Sequence, residues 1–551
     1  MRRTLFGIIE NGSHQSYDFI ILYERRVLMG EKGIDPASSG NLFLRFFRRN
    51  PAVPAAFAAL LTLVVTGNRI PNGFVTFALM IVGFAVILAS GLVISKKKKL
   101  TDDVLIMLLF AAGFWIKLCY VLYTDVNVRQ CDVETFVEGN YSDYHAGYIL
   151  YLRDFLRLPD LDVAKHGQFY HPPLHHFLCA VFLRIYELFL PSGTHNYESL
   201  QTLTLLYSFG TQCYMFKTLR LLGVKGKGLV NSALLLSAFP LLTVFAGSIN
   251  NDILSLMLFF AAFCYGIEWY QQGRFKDILI SAFCTGFGMM TKLSAGLIAF
   301  PLGFLFIVRF IKDVKAKKGL RTFGQLACFG VIAVPLGLWY SVRNLIRYNT
   351  PLGYVLKLDY LPQDISRFSV SQRLFDFYGF PIEDFYVNLG SDGEQDYNIF
   401  ITQVKTMLFG YENCRDDMLM SLTGYFLLIL TLMLVATAVA GIIYLVVTLR
   451  KSGHAFEDIA MIILFLTEVG SSVMFSLKFP HVCSQAFRYD FPALLTGVYG
   501  IAVLTGSKRA GGLPGKGLRL LCIGFFVMSV VYYAILWTYV KGEVVVVEPT
   551  W

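Results

Sequence analysis

Charge is what this sequence has least of. Only 16% of its 551 residues are Asp, Glu, Lys or Arg, and 55% are hydrophobic; a soluble domain carries about 25% charge. That shortage excludes an ordinary soluble globular protein. No apolar region follows closely behind Met1, so a cleavable signal peptide is not expected. No segment alternates between apolar and polar residues in the way a membrane β-barrel requires. A glycine-rich loop of the P-loop type is also missing, which argues against a nucleotide as the energy or group donor. The ten cysteines lie mostly inside apolar runs, where they act as small hydrophobes. Cys131, Cys414 and Cys483 fall outside those runs, and three thiols cannot all pair, so no disulfide framework is expected.

Apolar runs, by contrast, are abundant, and 49 Phe and 30 Tyr enrich them. Runs of about 17–25 residues recur along most of the chain, enough for about 13 bilayer crossings. The candidate spans are 52–67, 74–95, 103–123, 199–221, 229–247, 253–270, 277–291, 293–310, 324–342, 422–448, 456–477, 491–506 and 518–540. The expected fold is therefore all-α, a polytopic transmembrane bundle whose extracytoplasmic loops carry juxtamembrane helices.

The net charge of +10 comes from short basic clusters beside the spans, which is the positive-inside pattern and not a nucleic-acid signal. These clusters are RFFRRN (45–50), KKKK (96–99), Lys217 to Lys227, Arg274 with Lys276, 309–321, Arg450 with Lys451, and 507–519. All fall on one side if thirteen spans alternate from a cytoplasmic N-terminus. The chain then divides into a cytoplasmic tail (1–50), N-terminal helices (51–123) and a first extracytoplasmic loop (124–170). A membrane core (171–343), a second extracytoplasmic loop (344–421), C-terminal helices (422–540) and an outer tail (541–551) follow. Two stretches leave the middle open: 171–190 is long enough to cross, and 277–310 reads either as a hairpin around Lys292 or as one long helix.

The first long loop is acidic. Asp125 and Asp132 follow directly on the third span, at the membrane surface, where partial burial raises a carboxylate's basicity. A positioned carboxylate suits general-base attack by an acceptor hydroxyl; the alternative is a solvated acidic loop. HAGYILYLRDFL (145–156) has helical apolar spacing and reads as an amphipathic helix in the interface. QFYHPPLHHF (168–177) follows. Its prolines favour an extended approach and then a helix start, whose free amides make an anion site beside His171. His171 and His175 share a face at metal-ligand spacing, but a zinc site lacks a third ligand and the HExxH glutamate.

Further along, SINNDILS (248–255) puts Asn251 and Asp252 at a span boundary, where such residues also cap helices. Lys292 in TKLSA interrupts 34 apolar residues; an intramembrane lysine implies a partner or an anion, unless it snorkels to the interface. Arg343, near the end of a span, and Arg488 in FRYDFP are exceptions to the inside location of basic residues. Arginine forks bind phosphate oxygens well, and a lipid phosphate is the natural anion at that depth.

An Asp-bearing first outer loop, HPPL, an Asn-Asp pair opening a span, GFGMMTKLSA and FRYDFP together resemble the GT-C glycosyltransferases that use polyprenyl-phosphate sugars. The branch they resemble comprises the bacterial relatives of protein O-mannosyltransferases and aminoarabinose transferases (glycosyltransferase family 39-like), over about residues 100–500. This resemblance implies an inverting transfer at the outer face of the membrane, from a polyprenyl-phosphate sugar donor to a hydroxyl on a glycan, lipid or protein. The group moved is a hexosyl or pentosyl unit, mannosyl among the options. The resemblance implies Asp132 as base, with Asp125 and Asp143 as alternatives because the family's adjacent acidic pair is replaced by DVNVRQCD. It makes Lys292, Arg343 and Arg488 the phosphate ligands, has His171 orient substrate, and brings Asn251 and Asp252 into the site. No cofactor is required; a divalent cation is compatible with the carboxylates. The rival readings are a transporter or flippase, or a polymerase or ligase, for lipid-linked sugars.

Overall fold

A computed structural model describes residues 70–539 except 71, 128–131, 142–143, 192, 357, 359–360, 379–384, 388–395, 411–417 and 508–511. The candidate span 52–67 and both terminal tails lie outside the described residues, as does Asp143. The helices are α1 (Gly73–Lys96), α2 (Asp102–Tyr123), α3 (Tyr144–Phe155), α4 (Leu174–Glu187), α5 (Gln201–Leu221), α6 (Gly226–Ser237), α7 (Pro240–Gly247), α8 (Asp252–Gln272) and α9 (Phe275–Thr291). They continue with α10 (Ala299–Lys315), α11 (Gly319–Tyr348), α12 (Val370–Phe375), α13 (Ile399–Phe409), α14 (Met418–Thr448), α15 (Ala455–Lys478), α16 (Ala493–Gly506) and α17 (Leu513–Tyr539). Strands are absent among the described residues apart from one isolated bridge between Asp364 and His481.

Eight of these helices are long and apolar enough to cross a bilayer, and nine if α6 and α7, bent by 43°, form one broken span. The chain is a polytopic helical membrane protein. The expected spans 199–221, 277–291 and 491–506 are helices too, but they fall short by length or hydropathy. So the count by length and composition is lower than thirteen among the described residues. Residues 171–190 do not supply a crossing: α4 is 14 residues long, about 21 Å of helix against a hydrocarbon core of about 30 Å. At 277–310 the helix breaks. Lys292 is extended (φ −153°, ψ 125°) between α9 and the 3₁₀ turn Leu293–Ile298 that leads into α10.

Packing follows from composition. α8 lies against α9 and α5, α9 against α11, and α14 against α16 and α17. Where α14 crosses α16, a Cβ on Gly441 would run into the backbone of Gly500, so two glycines let the backbones touch, as small residues do between membrane helices. Lys117 is fully buried in α2. Its Nζ donates to Gln212 Oε1 and to the Ser237 carbonyl, each at 3.0 Å, so one buried amine ties α2 to α5 and α6.

The amphipathic reading of 145–156 is corrected. α3 is buried on all sides from His145 to Arg153 and packs on α4. Its charge is compensated internally. Arg153 contacts Glu138 and Asp154 at 2.6 Å and Glu187 at 3.4 Å, and donates to Tyr197 Oη at 3.1 Å. Desolvation opposes that arginine's charge, but these partners more than offset it and hold the guanidinium above its ordinary pKa.

Candidate active site

A cavity of about 260 Å³ opens where the first loop, the start of α8, the end of α9, the end of α11 and the FRYDFP turn converge. Its wall includes Asp132, His171, Asn251, Asp252, Lys292 and Arg488. Segments as distant in sequence as the first loop at Asp132 and the turn at Arg488 thus meet at one point.

Each segment is positioned by its own local chemistry. At the start of α8, Asn250 caps the helix by accepting from the Asp252 amide at 3.1 Å. Asn251 donates to the Thr291 carbonyl at 3.2 Å, which locks the beginning of α8 to the end of α9. Lys292 follows immediately, and its ammonium pairs with Asp252. Asn251 stands at the cap position but makes no capping side-chain bond and instead fixes a neighbouring helix end, while Asn250 bonds the first helical amide and Asp252 holds the lysine.

The FRYDFP segment forms a 3₁₀ turn over Phe487–Tyr489 before α16. Phe491 anchors it among Phe239, Phe245 and Phe260, with ring centroids 5.8–6.3 Å away. α13 also holds this region: the Phe487 amide donates to Thr406 Oγ1 at 2.9 Å, and Gln485 Nε2 donates to the Asp396 carbonyl at 2.6 Å. Asp396 is itself paired with Lys405 in a fully buried ion pair at 2.6 Å. Arg488 is thereby delivered to the cavity, where Nη2 meets Asp132 at 2.7 Å and Nη1 meets Asp252 at 3.5 Å. The Tyr489 ring lies between the two cations, 5.1 Å from Lys292 Nζ and 4.9 Å from Arg488 Cζ. Arg488 also donates to its hydroxyl at 2.9 Å. Cation–π contact holds both charges against the same ring.

Asp132 sits at φ +59° and Gln168, on the same wall, at φ +65°. The left-handed region is costly for side-chain-bearing residues, less so for aspartate. Such conformations gather at sites the surrounding structure must hold.

His171 lies parallel to His145 at 6.1 Å, and His145 Nδ1 meets His176 Nε2 at 2.8 Å. One ring nitrogen must donate and the other accept, so at least the accepting ring is neutral. Burial, and then the Lys292 ammonium, push His171 down to about 3. Burial likewise depresses His145 and His176 well below the ordinary value and His175 to about 4. His175 turns to Cys179, whose Sγ lies 3.7 Å from Nε2. No set of three metal-ligating side chains gathers among the described residues.

Two sequence candidates lie elsewhere. Asp125 closes a local turn by accepting from the Asn127 amide at 2.8 Å and does not line the cavity. Arg343 donates to the Pro159 carbonyl at 2.6 Å, and Arg347 pairs with Asp160 at 3.1 Å, so the end of α11 clamps the first loop. Ser341 and Asn344, beside Arg343, line the cavity instead. Sequence reading also missed Tyr170, His145, Tyr489 and the pair Ser471 and Ser472. A signal for the last existed: Glu468, Ser471 and Ser472 fall at i, i+3 and i+4 in an apolar span, a polar stripe that membrane helices keep for interiors and sites. Glu468 lines a smaller cavity of about 30 Å³ behind Lys292 and Arg488.

Fold and site together describe a polytopic helical protein with paired cations and carboxylates at one end of its bundle. Over residues 170–339 the chain matches the family model described as dolichyl-phosphate-mannose-protein mannosyltransferase. The matched stretch holds His171, Asn251, Asp252 and Lys292; Asp132 and Arg488 lie outside it and are joined to it by the fold. The chain is also similar to a crystal structure of ArnT from Cupriavidus metallidurans bound to undecaprenyl phosphate. That likeness has 13% identity and a TM-score of 0.36, and covers 78% of this chain and 77% of that one. No curated protein matches the chain.

Proposed function

We propose that this protein is an inverting glycosyltransferase that moves a sugar from a polyprenyl-phosphate donor to an acceptor hydroxyl at the extracytoplasmic face. The observation that carries the reading is the meeting of Asp132, Lys292 and Arg488 in one cavity, together with the mannosyltransferase match over 170–339. Each residue has a task that follows from its chemistry. Lys292 and Arg488 hold the phosphate and stabilise the charge it gains as the sugar leaves, the term that preorganised cations supply best. Asp132 accepts the proton of the acceptor hydroxyl. Neutral His171 donates or accepts a hydrogen bond to sugar hydroxyls without adding positive charge beside Lys292. Asn251 and Asp252 keep Lys292 in place.

The side of the membrane is argued from helix ends. α8 starts at the cavity, whereas α9, α11 and α15 end at it or beside it. The basic clusters at 274–276, 309–321 and 450–451 mark the opposite ends of these helices and of α10 and α14, and basic loops are cytoplasmic.

The test supplies purified protein with radiolabelled polyprenyl-phosphate sugars and membrane acceptor fractions, without nucleotide sugars. Transfer is expected from wild type, with a loss of about 10²–10⁴-fold in Asp132→Asn. Full activity in that variant removes the base assignment. Movement of label across sealed vesicles without new glycosidic product supports the transporter reading instead.

A further inference from the structure

In the cavity, both candidate phosphate cations already hold carboxylates. Arg488 directs Nη2 at Asp132 (2.7 Å) and Nη1 at Asp252 (3.5 Å), and Lys292 pairs with the other oxygen of Asp252. Two cations face two carboxylates. A lipid phosphodiester brings a further negative charge to this balanced set. An arginine fork engages two anion oxygens at a time, so a phosphate oxygen and the Asp132 carboxylate compete for Nη2.

The partners differ in how firmly they are held. The Asp252 side chain is 4% exposed and Arg488 is 7% exposed, whereas Asp132 is 35% exposed. Arg488 is further fixed by the Tyr489 ring and hydroxyl. Asp132 stands on a loop turn, and among these groups it is the most exposed.

We propose that Asp132 occupies on Arg488 the place of a donor phosphate oxygen, and that arrival of the lipid phosphate displaces it toward the acceptor. This inference rests on the reading of Asp132 as base and Arg488 as phosphate ligand. It makes the base available only when a donor is in place. The charge balance then holds through the reaction. The bond between the sugar's anomeric carbon and the phosphate oxygen breaks, and its electron pair stays on the phosphate. The acceptor oxygen forms the new bond to that carbon and gives its proton to Asp132. The phosphate gains one negative charge as Asp132 loses one, so the cavity's total is unchanged, and the neutral acid no longer competes for Arg488.

The experiment measures undecaprenyl phosphate binding to the full-length protein for wild type, Asp132→Asn, Asp132→Gly and Asp160→Asn. Asparagine and glycine both tolerate the left-handed backbone at this position, so either variant keeps the turn if the other misfolds. Removing an internal competitor tightens binding: the Asp132 variants are expected to bind at least about fivefold more tightly while transfer is lost. Asp160, 72% exposed on the same loop, controls for loss of a negative charge and is expected to bind as wild type. Unchanged or weaker binding in the Asp132 variants overturns the exchange, and so does equal tightening in Asp160→Asn. If wild type binds undecaprenyl phosphate no better than undecaprenol, the glycosyltransferase reading itself fails and the inference falls with it.

Discussion

Asp252 is the residue on which the site's geometry turns, because it touches Lys292 and Arg488 together. Replacing it with asparagine keeps the shape but leaves buried Arg488 and partly buried Lys292 with one fewer counter-charge. Breaking a buried pair from one side costs about 3–5 kcal/mol, and here the bound phosphate offsets part of that cost. Asp252→Asn is therefore expected to lower the thermal midpoint of the ligand-free protein, and undecaprenyl phosphate to restore most of the loss. A drop that the lipid does not reverse would separate Asp252 from the phosphate position. The histidines support a second prediction. Folded His171 and His175 hold their protons only near 3 and 4, while an unfolded imidazole titrates near 6.5. Between those values the unfolded chain binds more protons, so stability falls as pH drops below about 6.5. Thermal midpoints measured from pH 8 to pH 5 should decline, and His145→Gln with His176→Gln should flatten the slope. At this scale the sequence was informative about chemical type and less so about direction. Lys292, Asp252 and Arg488 stood out as charges in apolar surroundings, and all three face the cavity. Arg343 stood out for the same reason but faces the loop. One turn of helix separates a cavity-lining Asn344 from the loop clamp at Arg347, and charge alone does not tell which face a residue occupies.

At the scale of elements, the long apolar helices were legible because a bilayer demands length and apolarity together. The short ones were not. α4 and α3 read as a possible crossing and a surface helix, yet α3 is an internal prop of the first loop and α4 packs on it with one face buried and the other exposed. What the pattern of α3 hid was Arg153, whose charge looks like a polar face until Glu138, Asp154, Glu187 and Tyr197 are brought to it by folding. Arg153→Met removes the hub and leaves those carboxylates facing each other. It is expected to destabilise the protein by about 3 kcal/mol and to lower transfer, since α3 carries His145 to the cavity wall. Thermal unfolding and activity should fall together; a stable protein with full activity would show the cluster to be dispensable. The crossing of α14 and α16 gives a contrasting case. Gly441→Val thrusts a side chain into the Gly500 backbone, with a cost of about 1–3 kcal/mol from overpacking. The lesion lies away from the cavity, so it should appear in thermal stability and leave undecaprenyl phosphate affinity near wild type.

For the whole molecule, the consequence of Lys117 is one of assembly. Besides the Gly113 carbonyl of its own helix, at 3.4 Å, its acceptors are Gln212 and Ser237, which lie 95 and 120 residues further along the chain. During synthesis α2 leaves the ribosome well before α5 and α6 exist. Through that interval its amine has only the Gly113 carbonyl of its own helix, and lipid headgroups, water or the insertion machinery take the place of the two later acceptors. Biogenesis of the bundle therefore runs through a stage at which an early helix waits, incompletely seated, for two later ones to receive it.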